Sequence, residues 1–222
     1  MSHVNINGSA RGFNEGFIKG SVFVNSYKGE FTNSGTIQAN NGAYAVGGMG
    51  YMYNQGELYN YSDAVDGGVN YLMYLNRPMD KWASVVNSGT ISATGGYGAI
   101  LAEDTQSHWL YNTASGNIQG ENMKEALVKL NGRNSFHNDG VITVKGDNAV
   151  GILAGSNSTV INSGTLNVGT EEGRKDGSNG TGLVGIKGTG NTVVNNTASG
   201  VINVWADKSS AFGGTMKQLI NN

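Results

Sequence analysis

The chain repeats one short motif along its length, and this repeat restricts its possible folds more than any other feature. Each copy places Asn and Gly between two short apolar pieces, and neighbouring copies lie 24 to 54 residues apart. A period of this size indicates stacked supersecondary units. The copies read FTNSGTI (31–37), VVNSGTI (85–91), FHNDGVI (136–142) and VINSGTL (160–166), with two extra residues in LYNTASGNI (110–118) and VNNTASGVI (194–202).

A second apolar block precedes the motif, so each unit contains three short pieces. AVGILAG (149–155) aligns with ALVKLNG (126–132), GAILA (98–102) and GLVGIKG (182–188). Short runs rich in Val, Ile and Thr and bounded by Gly or Asn predict strands. Three strands leave no room for a helix in each unit. The helix-like spacing in 121–130 is interpreted as a strand over 126–131, because that stretch aligns with the first piece.

Units of this size bury their apolar side chains only when like strands stack on one another. The pattern therefore predicts an all-β, right-handed parallel β-helix with three short strands per coil, the hand following from the crossover rule. About eight coils at ~4.8 Å each would give a height of about 40 Å. Gly is expected at turns that need a positive φ. Asn33, Asn87, Asn138 and Asn162 recur at one corner and predict a structural turn ladder of side chains.

The longest gap between motifs is twice the usual step, which indicates a hidden coil. We expect one β-helical domain over 1–222, with a Tyr- and Met-rich excursion at about 50–82 that includes the hidden coil, and a solvated polar loop at about 170–181. The last residues read LINN, so the chain stops at Asn222, where Ser-Gly would continue the motif. We therefore expect the chain to be a fragment of a longer protein.

Aromatic residues concentrate in the stretch 50–82, which holds six of the ten Tyr. Tyr and Trp supply rigid contact area with one polar atom, and they favour binding surfaces. The alternative is that several of them pack against the side of the solenoid. The candidate binding residues are Tyr51, Tyr53, Tyr59, Tyr61, Tyr71, Tyr74 and Trp82.

The recurring NSGTI-type motifs, each after an AVGI-type piece, resemble the passenger domains of bacterial type V autotransporters over residues 20–222. In that family a signal peptide precedes the passenger and an outer-membrane barrel follows it. The resemblance implies display on the bacterial cell surface or secretion, after export through the periplasm and outer membrane. It also implies an adhesin-like role in autoaggregation, biofilm formation or attachment, with self-association or a host surface protein or glycan as partner. It supplies no catalytic residue.

The composition argues against several classes of function and site. A net charge of −2 argues against nucleic acid, the absence of Cys removes thiolate chemistry, and no apolar run is long enough for direct membrane insertion. The sequence has three His but no Gly-x-Ser-x-Gly nucleophile elbow. The 176–182 stretch lacks the acidic spacing of a calcium loop. We therefore predict no catalytic residue, metal site or cofactor.

Three alternatives to an adhesin remain open. Asp63, Asp66 and Asp80 lie in the aromatic stretch together with Arg77, and the pair Glu103-Asp104 follows a predicted strand. These residues leave open a carbohydrate-binding or carbohydrate-cleaving β-helix. A passive stalk that carries a distal functional domain is the second alternative. A phage tail protein is the third, and obligate trimerisation would indicate it.

Overall fold

The strands of the chain stack in three columns, which we name faces 1, 2 and 3. A computed structural model describes residues 2–39, 44–60, 71–76, 83–103 and 108–222. Every strand pair within this part of the chain is parallel. The polypeptide visits face 2, then face 3, then face 1 in each coil.

Face 1 carries the first apolar piece of each repeat. Its strands are β1 (Ser2–Asn7), the second half of β3 (Phe17–Asn25), β6 (Val46–Gly48), β9 (Tyr71–Leu75), β12 (Gly98–Ala102), β15 (Ala126–Leu130), β18 (Val150–Ala154), β21 (Val184–Gly188) and β24 (Ser210–Gly214).

Face 2 carries the piece that ends in the repeated Asn. Its strands are β2 (Arg11–Asn14), β4 (Glu30–Asn33), β7 (Tyr51–Asn54), β10 (Ala83–Asn87), β13 (His108–Asn112), β16 (Ser135–Asn138), β19 (Thr159–Asn162), β22 (Val193–Asn196) and β25 (Gln218–Asn221).

Face 3 carries the piece that follows the repeated Gly. Its strands are the first half of β3, β5 (Thr36–Ala39), β8 (Glu57–Asn60), β11 (Thr90–Thr94), β14 (Asn117–Glu121), β17 (Val141–Lys145), β20 (Thr165–Val168) and β23 (Val201–Val204). Strand β3 turns the corner, since Phe17–Lys19 pairs with β5 and Val22–Val24 pairs with β6. Faces 1 and 3 therefore form one continuous sheet of sixteen strands.

These pairings confirm the parallel β-helix with three strands per coil. Face 2 contains nine strands in the described part of the chain, one more than the expected number of coils. Strands β7, β8 and β9 form the coil between the motifs at 31–37 and 85–91, which explains the double step. The prediction of a strand near 126–131 is confirmed by β15.

The core consists of columns of aliphatic side chains that repeat once per coil. One column on face 3 contains Ile37, Leu58, Ile91, Ile118, Ile142 and Leu166, each in register with the next and each fully buried. Burying an aliphatic side chain of this size contributes about 1.5–3 kcal/mol. The column forms only when coils stack, so the apolar position of the motif specifies the stacking.

The repeated Gly has a different physical role from the one expected. Gly35, Gly89, Gly140 and Gly164 do not have positive φ values. A Cβ at Gly89 would instead lie 2.1 Å from the carbonyl oxygen of Gly56 in the coil below, and the other three show the same close approach. The motif requires Gly because the backbones of successive coils touch at this corner.

The polar stretch at 170–181 contains a short helix, α1 (Glu171–Asp176), where the sequence suggested only a solvated loop. Thr170 caps it, because its Oγ1 accepts a hydrogen bond from Gly173 N at 3.0 Å. Two acidic residues occupy the first turn and Gly177 ends the helix in the left-handed conformation. These are standard start and stop signals.

Candidate functional site

An asparagine ladder runs through the corner between faces 2 and 3. Nine Asn side chains stack in register, and each Nδ2 donates to the Oδ1 of the next at 2.7–2.9 Å. Seven of them are at most 5% exposed and the eighth, Asn14, is 7% exposed. The ladder joins every coil to its neighbours. Its members are Asn14, Asn33, Asn54, Asn87, Asn112, Asn138, Asn162, Asn196 and Asn221.

The same amides also close the corner turns. Asn138 Nδ2, for example, lies 3.2 Å from Gly140 O and 3.4 Å from Thr165 O. Each amide thus satisfies backbone carbonyl groups at the turn as well as its own neighbour. Asn33, Asn87, Asn138 and Asn162, the four Asn predicted from the motif, all belong to this column. Their hydrogen bonds hold the stacked coils and the corner turns together.

The candidate binding residues do not form one surface. Tyr51 and Tyr53 lie on β7 in face 2, and Tyr59 lies on β8 in face 3. Tyr71 and Tyr74 lie on β9 in face 1, where Tyr71 is only 2% exposed. Tyr61 and Trp82 lie outside the described residues, as do Asp63, Asp66, Arg77, Asp80 and Asp104. Of the described candidates, Tyr71 and Tyr74 are the two on face 1, because each coil turns two corners between β7 and β9.

On face 1 these two tyrosines join two others in a surface depression, which we name the tyrosine cleft. Its volume is about 480 Å³. The lining side chains come from four successive coils: Tyr44, Tyr71, Tyr74, Tyr97, Leu101, Glu103, Glu125, Lys129 and Asn131.

One wall of the tyrosine cleft is a stack of aromatic rings. The Tyr44 ring lies 5.9 Å from that of Phe23 and 6.0 Å from that of Tyr74, and the two tyrosine planes differ by 23°. Tyr44 stands beside Gly47, whose strand position lies between Phe23 and Tyr74 in the register of face 1. A Cβ on Gly47 would lie 2.7 Å from Cδ2 of Tyr44. The Tyr44 ring therefore occupies the space that a side chain at position 47 would need.

A second glycine makes room for the buried tyrosine in the same way. A Cβ on Gly98 would lie 2.6 Å from Cε1 of Tyr71. The Tyr71 ring lies 6.4 Å from that of Tyr97, and its hydroxyl donates to Glu125 Oε2 at 2.5 Å. The two glycines and the packed rings fix the cleft in the folded chain.

The other wall of the tyrosine cleft is polar and charged. Lys129 Nζ donates to Glu125 Oε2 at 2.8 Å, and Asn131 Nδ2 donates to Glu103 Oε2 at 2.9 Å. Burial alone would raise the pKa of Glu125, but the hydrogen bonds from Lys129 and Tyr71 outweigh it and lower that pKa. Glu125 is therefore ionised at neutral pH.

The hydroxyls of Tyr44, Tyr71 and Tyr74 remain protonated at neutral pH, because the pKa of each is raised. Burial, followed by the hydrogen bond to Glu125, raises the pKa of Tyr71 far above 10.0. Burial also raises the pKa of Tyr44 and of Tyr74, with smaller contributions from the neighbouring Tyr74 ring and from Glu103, respectively. Neutral hydroxyls can both donate and accept hydrogen bonds.

Face 3 presents a long polar surface, which we name the amide row. It is the outward column of β5 to β23, and side chains within it hydrogen-bond along the stack. Gln119 Nε2 donates to Ser92 Oγ at 2.9 Å, and Asn203 Nδ2 donates to Asn167 Oδ1 at 2.9 Å. The row consists of Gln38, Tyr59, Ser92, Gln119, Thr143, Asn167 and Asn203. It carries no charged side chain.

Face 2 carries a row of outward aromatic rings around β13. Trp109 is 41% exposed and its ring lies 5.3 Å from that of Tyr111, which in turn lies 5.4 Å from His137. His137 Nε2 approaches both Asp139 Oδ1, at 2.9 Å, and Ser163 Oγ, at 3.4 Å. Both contacts reach one ring nitrogen, whereas a Ser–His–Asp triad places acid and nucleophile on different nitrogens.

Within the described ranges, no group of three or more His, Asp or Glu side chains is arranged to hold a metal ion. Asp176, which begins the stretch considered for calcium, accepts a hydrogen bond from Ser178 N at 2.9 Å and closes a turn. None of the helices in those ranges is both long and apolar enough to cross a membrane.

Sequence reasoning missed five ladder members and most of the tyrosine cleft. Asn54 ends the YMYN strand in the same way that Asn33 ends EFTN, so aligning strand ends would have found it. Tyr44 and Tyr97 lie just before the face 1 strands β6 and β12, outside the stretch 50–82. No local pattern marks Glu125, Lys129 or Asn131 as their neighbours.

Comparison with known proteins gives two matches. The family model described as the BigA fourth domain matches residues 2–222. BigA of Salmonella typhimurium, which is named as a surface-exposed virulence protein, is 48% identical over 226 residues. That alignment covers 98% of this chain and 12% of BigA, so the chain spans a small part of that relative's length. No solved structure matches the chain.

Proposed function

The chain belongs to the BigA fourth-domain family, and we propose that it is an adhesive segment of a surface-displayed bacterial protein. The name of the Salmonella relative supports a surface location. The resemblance of the repeats to type V autotransporter passengers supports export through the periplasm and outer membrane. The attachment acts between cells, or between a cell and a surface, and leads to autoaggregation or biofilm formation.

The observation that carries this proposal is the amide row on face 3. Gln38 is buried, and the accessible part of the row extends along six coils from Tyr59 to Asn203 and consists of amide and hydroxyl groups. Such groups both donate and accept hydrogen bonds, so two copies of the row can pair with each other. Each bond contributes only about 0.5–1.5 kcal/mol net, and many parallel contacts between two cells add avidity.

The rigid scaffold supports such a contact. The asparagine ladder and the aliphatic columns hold successive coils in one register. The amide row is therefore already ordered before contact, which lowers the entropic cost of association. A flexible chain with the same residues would lose that advantage.

Analytical ultracentrifugation of the 222-residue chain across concentration and salt tests the proposal. We expect concentration-dependent dimers whose stability changes little with salt, because the row is uncharged. The double variant Thr143→Lys with Asn167→Lys places like charges on both copies and should keep the chain monomeric. Thr159→Lys with Ser135→Lys, on face 2, is the matched control and should associate as the unsubstituted chain does.

Two results would contradict self-association through face 3. One is a monomer at the highest attainable concentration, which would favour a passive stalk or a host ligand. The other is equal association of the face 3 and face 2 lysine variants, which would place the contact elsewhere. Far-UV circular dichroism and thermal midpoints verify that each variant is folded.

A further inference from the structure

We propose that the tyrosine cleft on face 1 binds one ring of a neutral saccharide. This site is separate from the amide row on face 3, and the inference goes beyond the proposed self-association. It rests on the shape of the cleft, on the placement of its aromatic and planar polar groups, and on its charge.

The cleft has the size and composition of a small-molecule site. Its volume of about 480 Å³ lies within the usual range of ~300–1,000 Å³. Tyr44, Tyr74 and Leu101 form an apolar side, since Tyr74 and Leu101 are in register and Tyr44 stacks on Tyr74. A pyranose ring has an apolar C–H face that packs on such a surface and hydroxyl groups at its edge.

The polar side of the cleft can form hydrogen bonds with the hydroxyl groups at the edge of a sugar ring. Glu103 and Asn131 form one hydrogen bond to each other, at 2.9 Å. A carboxylate offers about four acceptor positions and an amide oxygen offers two, so both side chains keep capacity for a ligand. Two adjacent hydroxyls of a sugar ring can donate to such a planar pair. The protonated hydroxyls of Tyr44 and Tyr74 add groups that donate or accept.

The charge of the cleft selects against anionic sugars. Among the described residues that line the cleft, Glu103 and Glu125 contribute two carboxylates, and Lys129 contributes one ammonium group that already binds Glu125. The remaining carboxylate repels a sugar acid. We therefore expect neutral hexoses or N-acetylhexosamines as ligands, and not sialic acid or a uronate.

The cleft is formed before the ligand arrives. Gly47 and Gly98 leave the spaces in which the rings of Tyr44 and Tyr71 lie, and the Tyr71 hydroxyl is tied to Glu125. Few rotamers remain to be ordered on binding. For one sugar ring in an open cleft we expect a Kd of about 1 mM. Many copies on a cell surface would strengthen this binding through avidity.

Saturation-transfer difference NMR on the 222-residue chain tests the inference. The probes are methyl β-D-galactoside, methyl α-D-mannoside, N-acetylglucosamine and N-acetylneuraminic acid. We expect a saturable signal with a millimolar Kd for at least one of the neutral sugars and a weaker signal for N-acetylneuraminic acid. Tyr74→Ala should weaken binding at least tenfold, and the isosteric Glu103→Gln should weaken it several-fold.

The matched control is Tyr53→Ala, which removes an outward Tyr from the same coil on face 2 and should bind sugar as the unsubstituted chain does. Absence of saturable binding by every neutral probe would overturn the inference. Tightest binding of N-acetylneuraminic acid, unchanged binding in both Tyr74→Ala and Glu103→Gln, or equal loss in Tyr53→Ala would also overturn it. Glu103→Gln keeps the shape of the side chain, so it tests the site even if Tyr74→Ala fails to fold.

Sugar binding and self-association are measured independently. Sedimentation of the chain with saturating sugar should be unchanged, and Tyr74→Ala should associate as the unsubstituted chain does. A result that contradicts self-association through the amide row would therefore leave the saccharide proposal intact, and the reverse also holds.

Discussion

Truncation of one interior ladder residue, Asn138→Ala, should destabilise the chain far more than truncation at the end of the same ladder. Asn138 is fully buried. Its Oδ1 accepts from Asn112 Nδ2 at 2.8 Å and its Nδ2 donates to Asn162 Oδ1 at 2.8 Å. Alanine removes both bonds and the contacts of the amide with the turn carbonyls.

The magnitude follows from what the substitution leaves behind. Asn112 Nδ2 retains Gly116 O as an acceptor at 3.2 Å, so the loss of its hydrogen bond to Asn138 costs about 1 kcal/mol. Asn162 Oδ1 loses the donor that the structure gives it, and a buried unsatisfied acceptor costs about 1–3 kcal/mol. With the lost turn contacts, we expect a decrease of about 3–5 kcal/mol in the free energy of unfolding.

The matched control is Asn221→Ala. Asn221 is exposed and forms one ladder bond, to Asn196 Nδ2 at 2.9 Å. Its truncation should cost only about 0.5–1.5 kcal/mol.

Urea unfolding followed by far-UV circular dichroism gives the two free energies. Because each coil contacts only its neighbours, hydrogen exchange adds a local readout. Protection should fall most at the amides of Gly164 and Thr165, which donate to Asn138 O at 2.9 Å and to Gly140 O at 2.8 Å across the substituted corner. Equal destabilisation by Asn138→Ala and Asn221→Ala, or a change in exchange spread evenly over all coils, would refute this account of the ladder.

Three further predictions concern the corner glycine, the core and the tyrosine cleft. Gly89→Ala should lower the free energy of unfolding by more than about 2 kcal/mol, since its Cβ would meet the backbone carbonyl of Gly56 at 2.1 Å; urea unfolding checks this, and a neutral effect would contradict the close approach. Ile118→Ala, in a fully buried column, should cost about 2–5 kcal/mol through lost burial and the cavity, against little change for the exposed Val201→Ala measured in the same way. Because the pKa of Glu125 is lowered in the folded chain, the ionised carboxylate stabilises the fold at pH values above 4.5, its usual pKa, and this contribution is lost as the pH falls through the lowered pKa. Thermal midpoints measured on acidification should therefore fall less steeply in Glu125→Gln than in the unsubstituted chain. Identical profiles would contradict the coupling of Glu125 to Lys129 and Tyr71.

The fold was predictable from the sequence because every coil buries its apolar side chains in the same way. An apolar position that recurs once per unit, as in Ile91, Ile118 and Ile142, can be buried only by stacking like strands in parallel. The recurring Asn likewise had to occupy one corner. The hidden coil at 51–75 followed from the double step, although its Tyr-rich strands looked unlike the others.

The tertiary structure decided which outward residues meet. Alternation along a strand determines only whether a side chain points out, and the corners decide which face it joins. Tyr53, Tyr59 and Tyr74 are close in sequence and lie on three different faces. Tyr44, Tyr74, Leu101 and Lys129 are about one coil apart and line one cleft.

The glycines show the same division between sequence and tertiary structure. The sequence by itself determined that Gly recurs at one corner and that the units stack. Only the tertiary structure decided why: Gly89 is needed because two backbones touch, and Gly47 leaves the space for the ring of Tyr44. The first reason is a distance between residues of different coils, and the second depends on how the chain folds back just before β6, so neither is contained in the repeat pattern.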